Sequence, residues 1–470
     1  MLTLRRRHPE LVSGSIKISK KFRFLQLESV LLPSPRILIM TSPTILPPDF
    51  SLLSSQQKSV IEAFEAGKNI FVTGGAGSGK SYLLNFLKRH YGQLGLEVTA
   101  STGIAAVNIG GSTIHSWAGI GLANMPTDVI IDNILSKKFS RVRRRIKQVR
   151  ALAIDEISMI SAEVFEILDQ VFRAVRENNA PMGGVQMLLF GDFLQLPPIN
   201  RNGQNFNFSF QSESWQGLGL QVFVLEEIFR QSDKKFIKIL NNLRFGKLDE
   251  SDREALNSRL NAKDKNSAIR PTILTTHNIK VEKINQLELQ KIPREEISHQ
   301  AEYFGLPDKI EFIKKNCMAA ESLKLKVGAQ VMMIKNTYQK DGIINGSLGI
   351  VREFSPKKFY PIVEFANGKI LAISPEEWLI ERFDDEKKMM VTDAGVSQVP
   401  LILAWAMTIH KSQGLTLDKI SCDLSDVFSP GQAYVALSRA RSLEGIFIES
   451  INFSRITANR EAAEFYKFSI

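Results

Sequence analysis

A glycine-rich octapeptide constrains this chain more than any other stretch. Residues 74–81 read Gly-Gly-Ala-Gly-Ser-Gly-Lys-Ser and match the phosphate-binding loop pattern G-x-x-x-x-G-K-[ST]. An apolar, β-branched run at 69–73 precedes the loop, and residues 82–91 follow it with leucines at helical spacing. The order strand, loop, helix disfavours a chance glycine-rich turn. It predicts a buried parallel strand that delivers the loop to the edge of an α/β sheet.

The loop residues suit a nucleoside triphosphate. Glycines let the backbone curl until several N–H groups point at one centre, where the following helix adds the positive end of its dipole. Lys80 would reach the β- and γ-phosphates, and the Ser81 hydroxyl would bind the Mg²⁺ that bridges them. The predicted nucleotide-binding residues are Gly74, Gly75, Ala76, Gly77, Ser78, Gly79, Lys80 and Ser81.

Length and composition indicate a globular protein of several domains. A chain of 470 residues is too long for one core. The longest apolar run near its C-terminus, residues 399–407, contains Pro400 and is far shorter than the ~20 residues of a membrane helix. Cys317 and Cys422 cannot form a disulfide framework or a four-ligand zinc site. We therefore expect a reducing compartment, the cytoplasm of a bacterial-type cell, no membrane partner, and no metal besides nucleotide magnesium.

The net charge of +11 is concentrated in two places. Residues 1–39 hold eight lysines and arginines against two glutamates, and residues 137–150 hold eight basic residues and no acid. Charge runs are most often solvated surface, and that alternative stays open for the second run. Because the run lies between two candidate motifs, a track for a phosphodiester backbone is the competing interpretation. The candidate contacts are Lys137, Lys138, Arg143 and Arg144.

The first 49 residues carry no sustained periodicity and several prolines. They are predicted to be disordered or to precede a true start at Met40, and an organelle presequence in residues 1–39 stays open. Order is expected from Ser54, the N-cap of a helix over 56–65. Gln57 in this helix is either an ordinary surface residue or, beside a phosphate loop, a reader of the adenine edge.

Two later strand ends carry polar side chains. The apolar run 151–154 leads into Asp155 and Glu156, and paired carboxylates there are costly unless they serve a charged ligand. We expect Asp155 to hold Mg²⁺ and Glu156 to orient the water that attacks the γ-phosphate. The run 185–190 leads into a proline-restrained loop on which Gln195 could sense the γ-phosphate. A helix that begins after Ser161 is predicted to present only a core-facing apolar stripe.

A further strand, predicted over 97–102, ends at Thr102, and His115 follows a glycine pair. Threonines and exposed N–H groups at such a strand end suit contacts to phosphates, although not necessarily those of a nucleotide. The alternative is an ordinary strand, turn and helix with small packing residues.

The second half of the chain predicts another α/β layer and an inserted β-barrel over about 346–400. The layer is predicted from strands at 271–275 and 329–334, and the barrel from short strands at 348–351, 360–365 and 370–373. The Asn367-Gly368 pair predicts a hairpin between the last two. Ser429 is predicted to cap a helix that carries Arg439.

Two arginines admit a structural and a catalytic interpretation. Arg230 would ordinarily be a surface residue, and Arg439 could stabilise the end of a helix. Opposite a phosphate loop, an arginine could instead act as an arginine finger, which contributes about 10³–10⁵ in rate.

Read in order, these motifs resemble those of superfamily-one helicases of the RecD-like branch, and within it the Pif-type (petite integration frequency) DNA helicases. The matching stretches cover about residues 50–450 in the family's order. They are the Gln57 segment, GGAGSGKS, ASTGIAAVNIGGSTIHS, LAIDEISMI, GDFLQLPP, FRQ, NGSLGIV, AWAMTIHKSQGLT and GQAYVALSRARS. The family's longer accessory termini have no counterpart, so the resemblance implies a nearly minimal motor.

The resemblance implies two RecA-like P-loop domains, over 50–228 and 229–470, with ATP and Mg²⁺ in the cleft between them. It also implies a small wedge inserted at about 120–147, and it identifies the barrel at about 346–400 as SH3-like. Gln195 resembles the family's γ-phosphate sensor, and two arginines complete the site from the second domain. The implied catalytic residues are Lys80, Asp155, Glu156, Gln195, Arg230 and Arg439.

The family's segments that contact single-stranded DNA contain Thr102, His115, His410, Lys411 and Ser412. The resemblance implies an ATP-dependent DNA helicase that moves 5′ to 3′ and unwinds tailed duplexes in replication, repair, recombination or telomere maintenance. We expect a monomer that works with replication or repair proteins. The alternative is a nucleic-acid-stimulated ATPase switch or translocase that does not separate strands, because both classes share every motif.

Overall fold

The computed structural model describes residues 48–198, 206–262, 264, 268–384, 389–425 and 427–469. Its α-helices are α1 (Ser55–Glu65), α2 (Lys80–Tyr91), α3 (Gly103–Asn108), α4 (Ile114–Ala118), α5 (Thr127–Leu135), α6 (Ser140–Gln148), α7 (Ala162–Arg176), α8 (Glu213–Gly217), α9 (Lys234–Arg244), α10 (Glu250–Asn257), α11 (Asn278–Gln290), α12 (Pro307–Asn316), α13 (Gln432–Leu437) and α14 (Arg460–Ser469). The prediction for residues 1–49 falls outside the described residues except at its last two positions. Within the described helices, none is long and apolar enough to cross a bilayer.

The β-strands of the described residues belong to five sheets. They are β1 (Ile70–Gly74), β2 (Leu96–Ala100), β3 (Ser112–Thr113), β4 (Ala151–Asp155), β5 (Gln186–Phe190), β6 (Gln221–Leu225), β7 (Thr272–Thr275), β8 (Ile297–Gln300), β9 (Glu302–Gly305), β10 (Ser322–Leu325), β11 (Gln330–Met333), β12 (Leu348–Phe354), β13 (Pro361–Phe365), β14 (Ile370–Ala372), β15 (Glu376–Asp384), β16 (Met389–Gln398), β17 (Leu401–Leu403), β18 (Ala406–Thr408), β19 (Ile420–Leu424) and β20 (Ile446–Ile451).

Six parallel strands form the first sheet, in the order β3-β2-β4-β5-β1-β6. Every residue of β1 is buried, because Phe71 packs into one apolar cluster while Ile70 and Val72 pack into another on the opposite face. Parallel strands end at one common edge, so the loops after β1, β4 and β5 meet there. The predicted strand, loop and helix at residues 69–91 are confirmed.

Helix starts in this region follow local capping rules. The Ser54 hydroxyl accepts a hydrogen bond from the Gln57 N–H, and the Gln57 side chain accepts one from the Ser54 N–H, so a capping box starts α1. Ser161 caps α7 by accepting from the Val164 N–H. The α7 stripe is buried as predicted, with Ile167, Leu168, Val171, Phe172 and Val175 in one cluster.

A second parallel sheet has the order β18-β7-β19-β20. The predicted strand at 271–275 appears in it as β7, but the assignment of 329–334 to the same layer is wrong. Those residues form β11, which pairs antiparallel with β12 and β17 in a separate sheet. All four residues of β11 are buried. A strand buried on both faces shows the continuous apolar run that is typical of parallel strands, which explains the error.

The remaining sheets are antiparallel. One has the order β14-β13-β12-β11-β17, another has β15-β16-β9, and β10 pairs with β8. The three short strands predicted between 348 and 373 are β12, β13 and β14. The predicted hairpin turn is present between the last two, with Gly368 at a φ of +80°. Strands that precede residue 346, from β8 to β11, also belong to these sheets.

Two helices, α5 and α6, occupy the predicted insert at 120–147. Ile130, Ile134 and Ile146 anchor them in the cluster that also holds the α7 stripe. The helix predicted to begin at Ser429 and to carry Arg439 starts instead at Gln432, after Gly431 with a φ of +76°, and ends at Leu437, so Arg439 lies beyond it. This prediction was wrong because the cap position must approach a neighbouring loop closely, which favours glycine over serine.

The last helix, α14, returns to the first sheet. Ala462 and Tyr466 lie in the same cluster as Phe71 of β1. The Phe465 ring stacks on Phe210 with centroids 4.3 Å apart and meets Phe193 edge to face at 5.5 Å. Aromatic packing therefore ties the end of the described chain to its first sheet.

Phe208 tests the weight of this aromatic cluster. It is completely buried and contacts Phe193 and Phe210, so Phe208→Ala leaves a cavity and is expected to lower the free energy of unfolding by about 3–5 kcal/mol. Urea unfolding monitored by tryptophan fluorescence measures the change. Phe468→Ala, at a side chain 84% exposed, is the control and should stay within about 0.5 kcal/mol. Equal effects of both substitutions would contradict the role of the cluster.

Candidate active site

The loop after β1 has the backbone of a phosphate-binding loop. Gly74, Gly77 and Gly79 have φ values of +146°, +84° and +86°. A Cβ on Gly74 would lie 2.4 Å from the Leu225 carbonyl oxygen, so the loop packs directly against the end of β6. Lys80 Nζ donates to the carbonyls of Gly74 at 2.7 Å and Gly75 at 3.0 Å. The ammonium group therefore lies within the curl of the loop.

Gln57 is a buried residue that braces this loop. Its Nε2 donates to the Gly79 carbonyl at 3.3 Å, while its Oε1 serves the capping box of α1. The structure excludes the ordinary surface residue that the sequence left open. The sequence did not predict that the Gln57 amide joins the cap of α1 to the phosphate loop.

Paired carboxylates lie at the end of β4. Burial raises the pKa of Asp155 to about 6, and burial together with the charge of Asp155 raises the pKa of Glu156 to about 7. Glu156 has a φ of +52°, a left-handed conformation that is unfavourable for a residue with a side chain. The Ser101 hydroxyl donates to its carbonyl at 2.8 Å and helps to hold this conformation.

The loop after β5 is tied down by a buried ion pair. Arg244 of α9 donates to both carboxylate oxygens of Asp192, at 2.7 and 3.0 Å. Burial alone would raise the pKa of Asp192, but the charge and hydrogen bonds of Arg244 outweigh it and lower the pKa. Gln195 is buried, donates to Asp192 at 3.3 Å, and accepts from Gln413 at 3.4 Å. Gln195 thus lies between the first sheet and the segment that follows β18.

Arg230 follows β6 and lies against Gly77 of the loop, whereas Arg439 follows α13. Arg230 donates to the Thr416 hydroxyl at 3.0 Å and to the Ser438 carbonyl at 3.2 Å. Burial and the nearby charge of Arg439 lower the pKa of Arg230 to about 9, and burial lowers that of Arg439 to about 10. The positive charge of Arg439 also acts on Glu156. The structure therefore brings both arginines, the carboxylates and Lys80 into one electrostatic cluster.

This cluster fits a magnesium nucleotide. Desolvated cations are stabilised by an anion with several acceptor oxygens, which a triphosphate provides. The buried carboxylates with raised pKa values suit the magnesium ion of such a nucleotide, because a nearby divalent cation favours their ionised form. Ser81 is exposed at the start of α2, and its hydroxyl together with Asp155 supplies the hard oxygen ligands that Mg²⁺ prefers.

The predicted DNA-contacting residues lie at the same edges of the two parallel sheets. Thr102 follows β2 and caps α3 by accepting from the Ala105 N–H at 3.3 Å. His410 and Lys411 follow β18 and are exposed. Ser412 is buried, and its hydroxyl donates to the Ile409 carbonyl at 2.7 Å. The hydroxyls of Thr102 and Ser412 thus serve the fold. His115 is half-buried in α4.

The basic run at 137–150 is only partly a solvated face. Lys137, Lys138 and Arg144 are exposed. Arg143 donates to the Ser136 carbonyl at 2.5 Å and so closes the C-terminal end of α5. The guanidinium carbon of Arg145 lies 5.0 Å from the centroid of the Trp117 ring, in a cation–π contact. The structure accounts for Arg143 without nucleic acid, and a DNA contact by this residue stays a prediction.

Comparison with known proteins agrees with this geometry. Residues 52–254 match a family model described as PIF1-like helicase, and residues 310–354 match the 2B domain of DNA helicase Pif1. The chain is 37% identical over 415 residues to an ATP-dependent DNA helicase Pif1 of Bdellovibrio bacteriovorus, covering 88% of this chain and 92% of that relative. The chain belongs to the PIF1-like helicase family. The resemblance stated from the motifs is therefore confirmed.

Other members of the PIF1-like family show how far the similarity extends. The chain is 40% identical to the PIF1 helicase of Xenopus laevis over 90% of this chain but 65% of that relative, and it spans a similar share of the zebrafish and human proteins. The crystal structure of Bacteroides Pif1 with ADP-AlF4 is 33% identical, with a TM-score of 0.78, and covers 88% of this chain and 96% of that one. The ssDNA-bound Bacteroides Pif1 is 32% identical with a TM-score of 0.58 over the same shares. These matches confirm the α/β class with RecA-like parallel sheets.

Three contacts to the loops of the site were missed in the sequence. The Tyr434 hydroxyl accepts from the Ala76 N–H at 2.8 Å. A Cβ on Gly431 would lie 2.3 Å from the Gln195 carbonyl oxygen. Tyr466 bonds to the loop after β5. The first two belong to a motif of the PIF1-like family, GQAYVALSRARS, which signalled importance but not the atoms contacted. Tyr466 lies outside every motif.

Gly431→Ala tests the close approach across the site. The new methyl group would overlap the carbonyls of Leu194 and Gln195, and the positive φ adds strain. We expect the free energy of unfolding to fall by about 2–4 kcal/mol. Gly368→Ala has a φ of +80° but meets nothing within 4 Å, so it measures backbone strain alone and should cost about 1 kcal/mol. Similar losses of unfolding free energy in both variants would contradict the close contact between Gly431 and the loop that carries Gln195.

Proposed function

We propose that this chain is an ATP-dependent DNA helicase that translocates on single-stranded DNA and unwinds duplexes. The observation that carries the proposal is the two-sided site. The phosphate loop, Asp155 and Glu156 come from the first parallel sheet, whereas Arg230 and Arg439 donate to the carbonyls of Ser438 and Val435, between β19 and β20 of the second. A site built from two sheets changes when the sheets move, so nucleotide turnover can drive motion. The names of the matched relatives support the same activity.

The proposed roles follow from position and charge. Lys80 and the N–H groups of the loop bind the β- and γ-phosphates, with Gln57 beside the adenine. Ser81 and Asp155 hold Mg²⁺, which would neutralise charge on the phosphates. Glu156 takes a proton from the attacking water. Gln195 reports the γ-phosphate to the loop after β5, and Arg230 and Arg439 stabilise the charge of the transition state.

We also propose the finer architecture. The first RecA-like domain comprises residues 50–228 with a small wedge at about 120–147, to which α5 and α6 correspond. The second comprises residues 229–470 and carries an SH3-like barrel at about 346–400, supported by the antiparallel pairing of β11 to β14. The packing of α14 on the first sheet adds a late segment of the chain to the first domain's core.

The proposed partners are single-stranded DNA and tailed duplexes, supported by the ssDNA-bound Bacteroides relative. Contacts are assigned to the edge formed by Thr102, His115 and the 410–412 segment, with Lys137, Lys138, Arg143 and Arg144 along the phosphodiester track. The proposal also includes movement from 5′ to 3′ along the DNA, a monomeric state and a cytoplasmic location. It includes an association with replication or repair proteins. The competing function is an ATPase switch or translocase that leaves strands paired.

Strand separation on duplexes with a 5′ or a 3′ tail tests the function. We expect ATP-dependent unwinding of the 5′-tailed duplex and none with Lys80→Ala, because that variant removes the cation that grips the phosphates. A fluorescence assay of strand release and a single-strand-stimulated ATPase assay provide the measurements. ATP hydrolysis without unwinding of either duplex would favour the switch. Unwinding from the 3′ tail alone would overturn the polarity, and activity in Lys80→Ala would overturn the site.

The raised pKa of Glu156 predicts the pH dependence of hydrolysis. A base works only when deprotonated, so kcat/KM for ATP should fall about tenfold per pH unit below the pKa of Glu156, which is about 7 without bound magnesium, and level off above it. Saturating magnesium beside Asp155 should move the midpoint to lower pH, because added positive charge favours the ionised carboxylates. Rates at fixed DNA occupancy between pH 5 and 9 provide the check. A flat profile would contradict the assignment of Glu156 as base.

A further inference from the structure

Tyr466 of α14 occupies a position between two parts of the proposed site. Its hydroxyl lies 2.7 Å from Thr73 Oγ1, one residue before the phosphate loop. The same hydroxyl accepts a hydrogen bond from the Phe193 N–H at 3.1 Å, in the loop that carries Gln195. One buried hydroxyl therefore bridges the strand that leads into the phosphate loop and the loop that senses the γ-phosphate.

The bonding pattern at Tyr466 is complete. A phenolic hydroxyl has one proton to donate and can accept as well, so acceptance from Phe193 leaves the proton free for Thr73. Burial and the nearby carboxylate of Asp192 raise the pKa of Tyr466, so the hydroxyl stays protonated at neutral pH. With 5% of the residue exposed, water cannot readily replace either partner.

The Tyr466 ring has a second contact on the same loop. Arg244 lies over the ring with 5.0 Å between its guanidinium carbon and the ring centroid, while it holds both oxygens of Asp192. Asp192 in turn accepts from Gln195. The Tyr466 hydroxyl thus holds the loop at the Phe193 N–H. The Tyr466 ring holds it at the neighbouring Asp192 side chain, through Arg244.

We propose that Tyr466 is a positioning residue for Gln195, because it fixes the loop after β5 relative to the strand that carries the phosphate loop. A displacement of Thr73 that accompanies nucleotide binding or product release then moves Phe193, and Gln195 with it. The proposal rests on the proposed ATPase function. Tyr466 reaches the reaction only through the loop.

Tyr466→Phe is the direct test, because it removes the hydroxyl and keeps the ring that packs against Arg244. We expect the kcat of the ATPase activity stimulated by single-stranded DNA to fall about five- to tenfold. This factor corresponds to about 1–1.4 kcal/mol, the cost of leaving the buried Phe193 N–H without a hydrogen-bond partner. The dissociation constant for ADP should change less than twofold, because the phosphate loop keeps its own bonds. In a Gln195→Ala background the same substitution should change kcat less than twofold, because both act through one residue.

Tyr91→Phe is a matched control. The Tyr91 hydroxyl donates to Glu65 at 2.5 Å on the far end of α2, so the variant also loses one hydroxyl hydrogen bond but touches neither loop. We expect its kcat to stay within twofold of the unsubstituted protein. A similar loss in both variants, or a full additional loss from Tyr466→Phe in the Gln195→Ala background, would show that Tyr466 is a packing residue only.

Hydrogen exchange separates this proposal from the proposed function. Amide exchange in peptides spanning residues 186–198 is measured with ADP bound, where no turnover is needed. We expect about tenfold faster exchange at the loop amides in Tyr466→Phe and no change in Tyr91→Phe. Unchanged exchange would overturn the proposal even if the chain unwinds DNA. Faster exchange in a chain that proves to lack ATPase activity would leave the positioning contact intact and remove only the proposed function.

Discussion

The buried ion pair between Asp192 and Arg244 is the contact on which the site's geometry depends. Both side chains are almost completely removed from water, at 0% and 8% exposure. Desolvation of two charges offsets most of their attraction, so such a pair persists only where other bonds satisfy its remaining atoms. Leu194 and Gln195 supply those bonds to Asp192, and the Tyr466 ring covers Arg244. These contacts restrict the conformation of the loop that carries Gln195.

That ion pair also shapes the electrostatics around the phosphate loop. Asp192, Asp155 and Glu156 surround Lys80 with negative charge, yet burial still lowers the pKa of Lys80. The three carboxylates therefore do not suffice to replace the hydration of the ammonium group in a region of low dielectric. A triphosphate adds negative charge where Lys80, Arg230 and Arg439 are undersolvated. Under the proposed function, a bound triphosphate would therefore favour an arrangement in which both sheets approach the loop.

Sequence reasoning succeeded where a local pattern has one physical meaning. The glycines at positive φ, the carboxylates at the end of β4 and the apolar stripe of α7 follow from rules that act within about ten residues. It failed where tertiary contacts decide. All four residues of β11 are buried and three of them are apolar, because the strand packs into one apolar cluster through Val331 and Met333 and into another through Met332. The helix predicted from Ser429 begins later because Gly431 must approach Gln195. A run of like charges does not reveal that Arg143 caps a helix.

The residues that complete the site lie far apart in the sequence. The hydrogen bond from Ala76 to Tyr434 spans 358 residues, and that between Thr73 and Tyr466 spans 393. The phosphate loop can form from local contacts, but these bonds require both parallel sheets and the last helix to be in place. These bonds link the phosphate loop and the strand that leads into it to the second half of the chain. An isolated first sheet would therefore lack the hydrogen bonds from Tyr434 and Tyr466.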